Sequence, residues 1–388
     1  MDYSRYKKMD ISQVGMGCYA LSGAYGGTDI STYKKVLLHA RKHGVNYFDT
    51  APAYGPKAER ILGKIIKPDR EEMYVSTKVG MKNEIEPILS YEHVISSCEN
   101  SLRELDTDYI DFYFVHYADI NTPIEETLNA LQDLQSDGKI VHYGISHLSQ
   151  ENASSYFKKG NIGAVMMELS PVARSALDTL LPICRDEGIA GIAFSVTGRG
   201  VLTGRYNRNS SFQDIDIRNI DPLFKYTRSE SALRIVDELK ELGKKYDKTP
   251  VQIAIRWVLS QPGIVCALTG PSKKEHLEEN IGGSGWEIYH EDMDHIDDVL
   301  KREDDFLDRE EPRLIKSILS NPLPNDSSEA ISQLVYVLEV AAQRNMAKES
   351  QILPIFQKLW SLKKEGADDT ESFESIKGSI NNILNLHL

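Results

Sequence analysis

Residues 45–55 read Val-Asn-Tyr-Phe-Asp-Thr-Ala-Pro-Ala-Tyr-Gly: a short apolar run that ends in Asp49, followed by a turn that carries Tyr54. Tyr54 lies five positions after Asp49, so no single helix face accounts for the pair. The next apolar run, Met73-Tyr-Val-Ser-Thr-Lys-Val-Gly, ends around Lys78, and the one after, Tyr109-Ile-Asp-Phe-Tyr-Phe-Val-His, ends in His116. Three consecutive strands therefore carry ionisable residues at their C-terminal ends. In a closed (β/α)8 barrel those ends share one rim, where active sites lie.

Working outward, apolar runs at Gly15–Cys18, Asn46–Phe48, Met73–Thr77, Tyr109–Val115, Ile140–Ile145, Ala164–Met167, Ala190–Phe194 and Val265–Leu268 predict eight strands. Helical spacing of apolar positions predicts helices over Thr32–His43, Glu92–Leu105, Pro123–Asp137, Ser149–Lys158, Ala176–Glu187 and Ser229–Tyr246. Thr249 and Pro250 open another that runs to about Ser260. Strands alternating with helices, and no GxGxxG after the first strand, favour a closed (β/α)8 TIM barrel over a doubly wound sheet. Residues 1–14 are expected as a hairpin that caps the barrel floor.

After about Tyr289 the strands stop, and polar helical stretches follow at Ser328–Arg344, Gln351–Lys363 and Glu371–Leu384. Asn321-Pro-Leu-Pro-Asn-Asp-Ser-Ser and Gly366-Ala-Asp-Asp read as the turns between them. The expected organisation is a barrel over 1–305 and a C-terminal helical extension over 306–388, stacked on the barrel because so few residues make a small core.

Composition narrows the function. With 41% hydrophobic and 27% charged residues the chain can bury a sizeable core. The 58 acidic against 45 basic residues, a net charge of −13, argue against a nucleic-acid partner. Cys18, Cys98, Cys184 and Cys266 are scattered without a CxxC pair, which suits buried thiols in a reducing compartment. The N-terminal twenty residues hold no long apolar core, and no later segment is long enough to span a membrane, so a cytoplasmic location is expected. His142/His147 and His290/His295 lack metal-ligand spacing, so no metal is expected; GxSxG after a strand and GxxxxGK[ST] are absent.

Asp49, Tyr54, Lys78 and His116 each have an ordinary structural explanation taken singly. Together at one rim they make a catalytic group. Lys78 would pair with Asp49 and hold a cation beside Tyr54, lowering the phenol's pKa so that it could donate a proton. A neutral His116 would hydrogen-bond a substrate carbonyl, and the chemistry implied is carbonyl plus hydride plus proton.

These stretches resemble the aldo-keto reductase family. The resemblance rests on GVNYFDTAPAYG, the glutamate in KAERILGK, STKVG, FVHYAD, GKIVHYGIS, FSVTGRGVLTGRY, TPVQIAIRWVL and LTGPSKKEHLEEN, in the family's order over about residues 10 to 285. It implies Tyr54 as general acid, Lys78 and Asp49 as the residues that tune it, and His116 as the orienting donor. It also implies a nicotinamide cofactor, NADP(H) preferred with NAD(H) as the other candidate, bound in extended form without a Rossmann fold. Ser146 resembles the ligand of the cofactor carboxamide and Phe194 the aromatic that stacks on the nicotinamide. Ser272, Lys273 and His276 resemble ligands of the 2′-phosphate, and Glu279 and Asn280 those of adenine.

The chain departs from the family pattern at His147, where Asn is frequent, at Met166 for Gln, at Thr269 for Pro and at His276 for Arg. Glu168-Leu-Ser-Pro-Val-Ala-Arg departs as well, pointing to an unusual substrate among small carbonyl or sugar-like compounds. Residues 207–226 form a long irregular stretch suited to a flap. The alternative to an enzyme is a cofactor-binding regulatory or scaffold protein of the same fold, acting on a protein partner or on a second copy through its helical tail.

Overall fold

The computed structural model describes residues 1–388 except 28, 82–86, 214, 345, 366–368 and 385–388. The turn expected at Gly366-Ala-Asp lies outside the described residues. In chain order, β1 (Tyr3–Tyr6) and β2 (Met9–Ser12) pair as an antiparallel hairpin. Eight parallel strands then close a barrel in sequence order: β3 (Val14–Gly17), β4 (Tyr47–Asp49), β5 (Tyr74–Val79), β6 (Ile110–Val115), β7 (Ile140–Ser146), β8 (Ala164–Glu168), β9 (Ala190–Phe194) and β10 (Ile264–Thr269). Each falls on a predicted apolar run, because a strand covered on one side by helices and on the other by the barrel interior must be apolar on both faces.

The connecting helices are α1 (Ile30–Lys42), α2 (Ala58–Ile66), α3 (Tyr91–Leu105), α4 (Ile124–Ser136), α5 (Gln150–Lys159), α6 (Leu180–Glu187), α7 (Tyr226–Tyr246), α8 (Pro250–Leu259) and α9 (Lys274–Ile281). Local chemistry sets their starts. Asp29 accepts from the backbone N–H of Thr32 at 2.8 Å to begin α1. Pro250 opens α8, and Gln252 reaches back to accept from Thr249 N at 3.0 Å.

Apolar spacing did not predict α2. It is nine residues long and exposes only Arg60 and Lys64, four apart on one face, so its helical period runs over too short a span to stand out. A Cβ at Gly63 would come within 2.2 Å of the Leu105 carbonyl, so only glycine lets α2 lie this close to the end of α3. Over 176–187 the predicted helix is divided into a 3-10 turn, Ser175–Leu177, and α6.

The hairpin closes the amino-terminal end of the barrel. Tyr6, Met9 and Ile11 join Tyr47, Phe112, Phe114, Met166, Ile192, Cys266 and Leu268 in one apolar cluster, and Tyr6 Oη donates to the Gly163 carbonyl at 2.6 Å. All four cysteines are free and buried.

The chain divides into two compact units, residues 1–203 with 239–289 and residues 204–238 with 290–388. The second contains α10 (His290–Ser320), α11 (Ser327–Gln343), α12 (Glu349–Glu365) and α13 (Thr370–Leu384). The boundary expected near residue 305 falls inside α10. Within this unit Ile220, Ile315, Leu334, Tyr336, Phe373 and Ile380 belong to one buried apolar cluster, a core larger than the tail's length suggested. The irregular stretch 207–226 belongs here and contains the 3-10 turns Ile217–Asn219 and Pro222–Phe224. Among the described residues no helix is long and apolar enough to cross a membrane.

Candidate active site

Strand alternation places the site. Tyr47, Phe114, Met166 and Ile192 point into the barrel as part of its interior cluster. Two residues further along the same strands, in the same phase, stand Asp49, His116, Glu168 and Phe194. On the strands between them, Ser76 and then Lys78 reach the Asp49 carboxylate, and Ser146 ends β7 in register with Met166. The inward row thus changes from apolar to ionisable at the carboxyl ends, opposite the floor that the hairpin closes.

Lys78 Nζ donates to Asp49 Oδ1 at 2.6 Å and to the Thr50 carbonyl at 2.8 Å; Ser76 Oγ donates to the same Asp49 oxygen at 2.7 Å. Both charged side chains are buried. Burial pushes the Asp49 carboxyl up and the Lys78 ammonium down, and each shift is opposed by the partner's charge and hydrogen bond. Lys78 Nζ also stands 4.7 Å from the centre of the Tyr54 ring.

Tyr54 is brought there by the turn Pro52–Tyr54, whose last N–H bonds to the Ala51 carbonyl at 3.0 Å, and by Gly55 at φ +106°, which turns the chain into α2. Its ring meets His116 edge-on with centroids 6.0 Å apart, and Tyr19 at 5.2 Å. Beneath it, Thr77 Oγ1 donates to the buried Glu59 carboxyl at 2.7 Å, tying α2 to β5; burial raises that carboxyl's pKa.

One expectation is corrected. The adjacent ammonium does not leave Tyr54 with a lowered pKa: burial first, and the Asp49 carboxylate next, push the phenol well above its ordinary value. Desolvation of a phenolate outweighs the ammonium because the same cation is already neutralised by Asp49. His116 moves the other way, held well below the usual imidazole range by burial, then by Lys78. The rim therefore holds a protonated phenol and a neutral imidazole.

The residues expected at the cofactor fall into two groups. Ser146 and Phe194 sit at the ends of β7 and β9, on the same rim as the four. Ser146 Oγ is buried without a hydrogen-bond partner, and Phe194 is half-buried against His147, ring centroids 4.5 Å apart. An orphaned hydroxyl and a half-buried aromatic face on one rim suit an amide-bearing aromatic ring, so these residues fit a nicotinamide. Ser272, Lys273, His276, Glu279 and Asn280 lie beyond β10, on the loop and in α9. Ser272 and Lys273 are exposed where α9 begins, and Asn280 is buried.

Sequence reasoning passed over Arg199, whose guanidinium bridges Glu168 at 3.0 Å on a turn with positive φ at Gly198, Arg199 and Gly200. The signal was present: Glu168 continues the inward phase of Ala164 and Met166. It also passed over Tyr19; His147, noted as a departure from the family pattern, takes a left-handed conformation, φ +47°.

A closed parallel barrel with its ionisable residues gathered at the carboxyl rim has the layout of a barrel enzyme. The chain belongs to the aldo-keto reductase family: the Aldo/keto reductase family model matches residues 13–301. The aldo-keto reductase YhdN of Bacillus subtilis is 33% identical over 301 residues, covering 76% of this chain and 91% of that protein. A probable aldo-keto reductase 1 of Glycine max is 32% identical over 299 residues, 74% of this chain and 85% of its own. Among solved structures, a glycerol dehydrogenase from Gluconobacter oxydans superposes with a TM-score of 0.71 at 29% identity, over 78% of this chain and 96% of its own. The holo form of an aldo-keto reductase from Bacillus halodurans gives 0.66 at 25% identity, over 77% and 96%. The protein is thus an NAD(P)-dependent oxidoreductase that reduces carbonyl groups.

Proposed function

We propose that the enzyme reduces a small aldehyde, ketone or sugar-like carbonyl to the alcohol, or runs the reverse reaction, with Tyr54 as general acid. The observation that carries this reading is the buried Lys78 ammonium, held 2.6 Å from Asp49 and 4.7 Å from the Tyr54 ring on the rim that also bears His116. The cofactor, when bound, supplies the hydride. Neutral His116 donates a hydrogen bond to the substrate oxygen and fixes its position. Tyr54 O–H delivers the proton to that oxygen, and Lys78 stabilises the phenolate left behind.

Burial makes Tyr54 a weak acid at rest, which keeps its proton in place until negative charge develops on the substrate. Ser146 would hold the carboxamide and Phe194 the ring face. The ammonium, hydroxyl and imidazole where α9 begins, on Lys273, Ser272 and His276, favour NADP(H) over NAD(H), with Glu279 and Asn280 at the adenine. The related glycerol dehydrogenase suggests small polyols and their carbonyl forms as the first substrates to try. The four buried free thiols suit a cytoplasmic setting.

Purified protein with NADPH and a panel of small carbonyls should lose absorbance at the nicotinamide band, more slowly with NADH. In Tyr54→Phe turnover should vanish while NADPH still quenches protein fluorescence; retained turnover removes the acid assignment. A second reading, a helical module that engages a partner, is favoured by the separate core in residues 204–238 and 290–388. It predicts a protein complex that forms with catalytically dead Tyr54→Phe.

A further inference from the structure

We propose that His39, His43 and Glu278 form a site for a divalent first-row transition metal, Zn2+ foremost, on the outside of the barrel where α1 meets α9. Each side chain offers one ligand atom, and the three atoms lie within 4.8 Å of one another. Among the described residues no other group of three His, Cys, Asp or Glu side chains comes so close.

His39 and His43 stand four apart, so α1 presents both rings on one face, with centroids 4.0 Å apart. His43 Nδ1 lies 2.8 Å from the His39 carbonyl. A carbonyl accepts only from an N–H, so the proton sits on Nδ1 and Nε2 is left as a lone-pair donor. A backbone contact of this kind is how metal-binding histidines are held in one tautomer. His39 Nε2 lies 2.7 Å from Glu278 Oε1, contributed by α9 from 239 residues further along the chain.

Without metal that contact is a hydrogen bond. With metal the His39 ring takes its other neutral tautomer, the proton moving to Nδ1 and freeing the Nε2 lone pair, and nitrogen and oxygen become neighbouring ligands. Two ligands on a tetrahedral zinc lie about 3.3 Å apart, so His39 and Glu278 must open slightly and His43 must close in. The exposures allow it: the His39 side chain is only 19% exposed and stays fixed, Glu278 is 55% exposed, and His43 is exposed. Two imidazoles and one carboxylate with water in the fourth position form a zinc-type set, one that hard Ca2+ and Mg2+ do not prefer.

The sequence gives no sign of the site, because the third ligand is remote and a helical histidine pair by itself is common. None of the three belongs to the proposed reductase group, so their variants should fold and turn over as the wild type does.

The test uses the full-length, chelator-treated protein titrated with Zn2+ alone against a chromophoric competitor. The expected result is one saturable site per chain in the wild type, weakened about tenfold or more in His43→Ala and in Glu278→Gln. His290→Ala, which removes a surface histidine beside Asp294, should leave it unchanged. Co2+ should give the visible absorption of a four-coordinate ion in the wild type and lose it in His43→Ala. Zn2+ should raise Tm in the wild type but not in that variant. Equal Zn2+ affinity in wild type and His43→Ala, or no saturable site at submillimolar Zn2+, overturns the proposal and leaves an ordinary hydrogen bond beside two tilted rings.

Discussion

Each compact unit buries a carboxylate against cations, and the two are satisfied differently. In the helical unit Glu311, 1% exposed, accepts from Arg228 Nε at 2.6 Å and Arg344 Nε at 2.5 Å, while Arg344 also reaches Asp308 at 2.6 Å. Each guanidinium gives one Nε–H to its own oxygen of the carboxylate and sends a further N–H to Gln343 or Asp308, so both cations are held in a network of fixed partners. In the barrel Asp49, 4% exposed, has a single ammonium, and that ammonium is shared between the carboxylate, the Thr50 carbonyl and the face of Tyr54. The first arrangement ties helices together. The second keeps a proton donor and a cation side by side in a dry place, which is what acid catalysis needs and what stability alone would not select.

The comparison breaks most sharply at the phenol. Tyr54→Phe should lower turnover by at least about 10²- to 10⁴-fold, the usual worth of a positioned general acid, with Tm almost unmoved. A stopped assay together with a melting curve checks both; a large loss of Tm with modest loss of turnover would put Tyr54 in the same structural role as Glu311.

Glu311→Ala should do the reverse. Two partly buried guanidinium groups lose their shared counter-ion, Arg344 keeping Asp308, at a cost of about 3 kcal/mol read from urea unfolding. A change under about 1 kcal/mol would mean that the clamp is solvated, and the contrast between the two carboxylates would disappear.

Phe194→Ala should weaken cofactor binding several-fold, matching about 0.5–1.5 kcal/mol for a lost aromatic stack, and leave the Tyr54 chemistry in place. Fluorescence titration with NADPH measures it; unchanged affinity would remove Phe194 from the site.

The smallest effect concerns pH. His142, packed edge-on to Tyr6 inside the floor cluster, has its pKa lowered by burial to about 4, and His116 is lowered too. The unfolded chain takes up these protons near pH 6.5 whereas the fold refuses them, so stability is complete above about 6.5 and falls as pH drops toward 4. His142→Gln should flatten part of that decline in Tm measured from pH 7 to 5. For activity, a phenol raised well above 10 stays protonated, so carbonyl reduction should show no alkaline fall below about pH 10 from loss of the Tyr54 proton.

Much of this was readable along the chain. The eight strands announced themselves as apolar runs because both faces of a barrel strand are dry, and Asp49, Lys78 and His116 stood out as ionisable residues ending such runs. The short helix α2 stayed hidden although its exposed Arg60 and Lys64 stand four apart, because nine residues repeat the period too few times to stand out. Arg199 stayed hidden because its partner Glu168 comes from another strand end.

The sequence by itself determined the number and order of the strands and which residues end them, since both follow from local alternation of apolar and polar groups. The tertiary structure decided the rest: that burial of Tyr54 outweighs its ammonium neighbour, that the tail's helices build their own core, and that His39 and His43 meet Glu278. Desolvation and proximity between distant segments are properties of closed three-dimensional packing, and no local pattern encodes them.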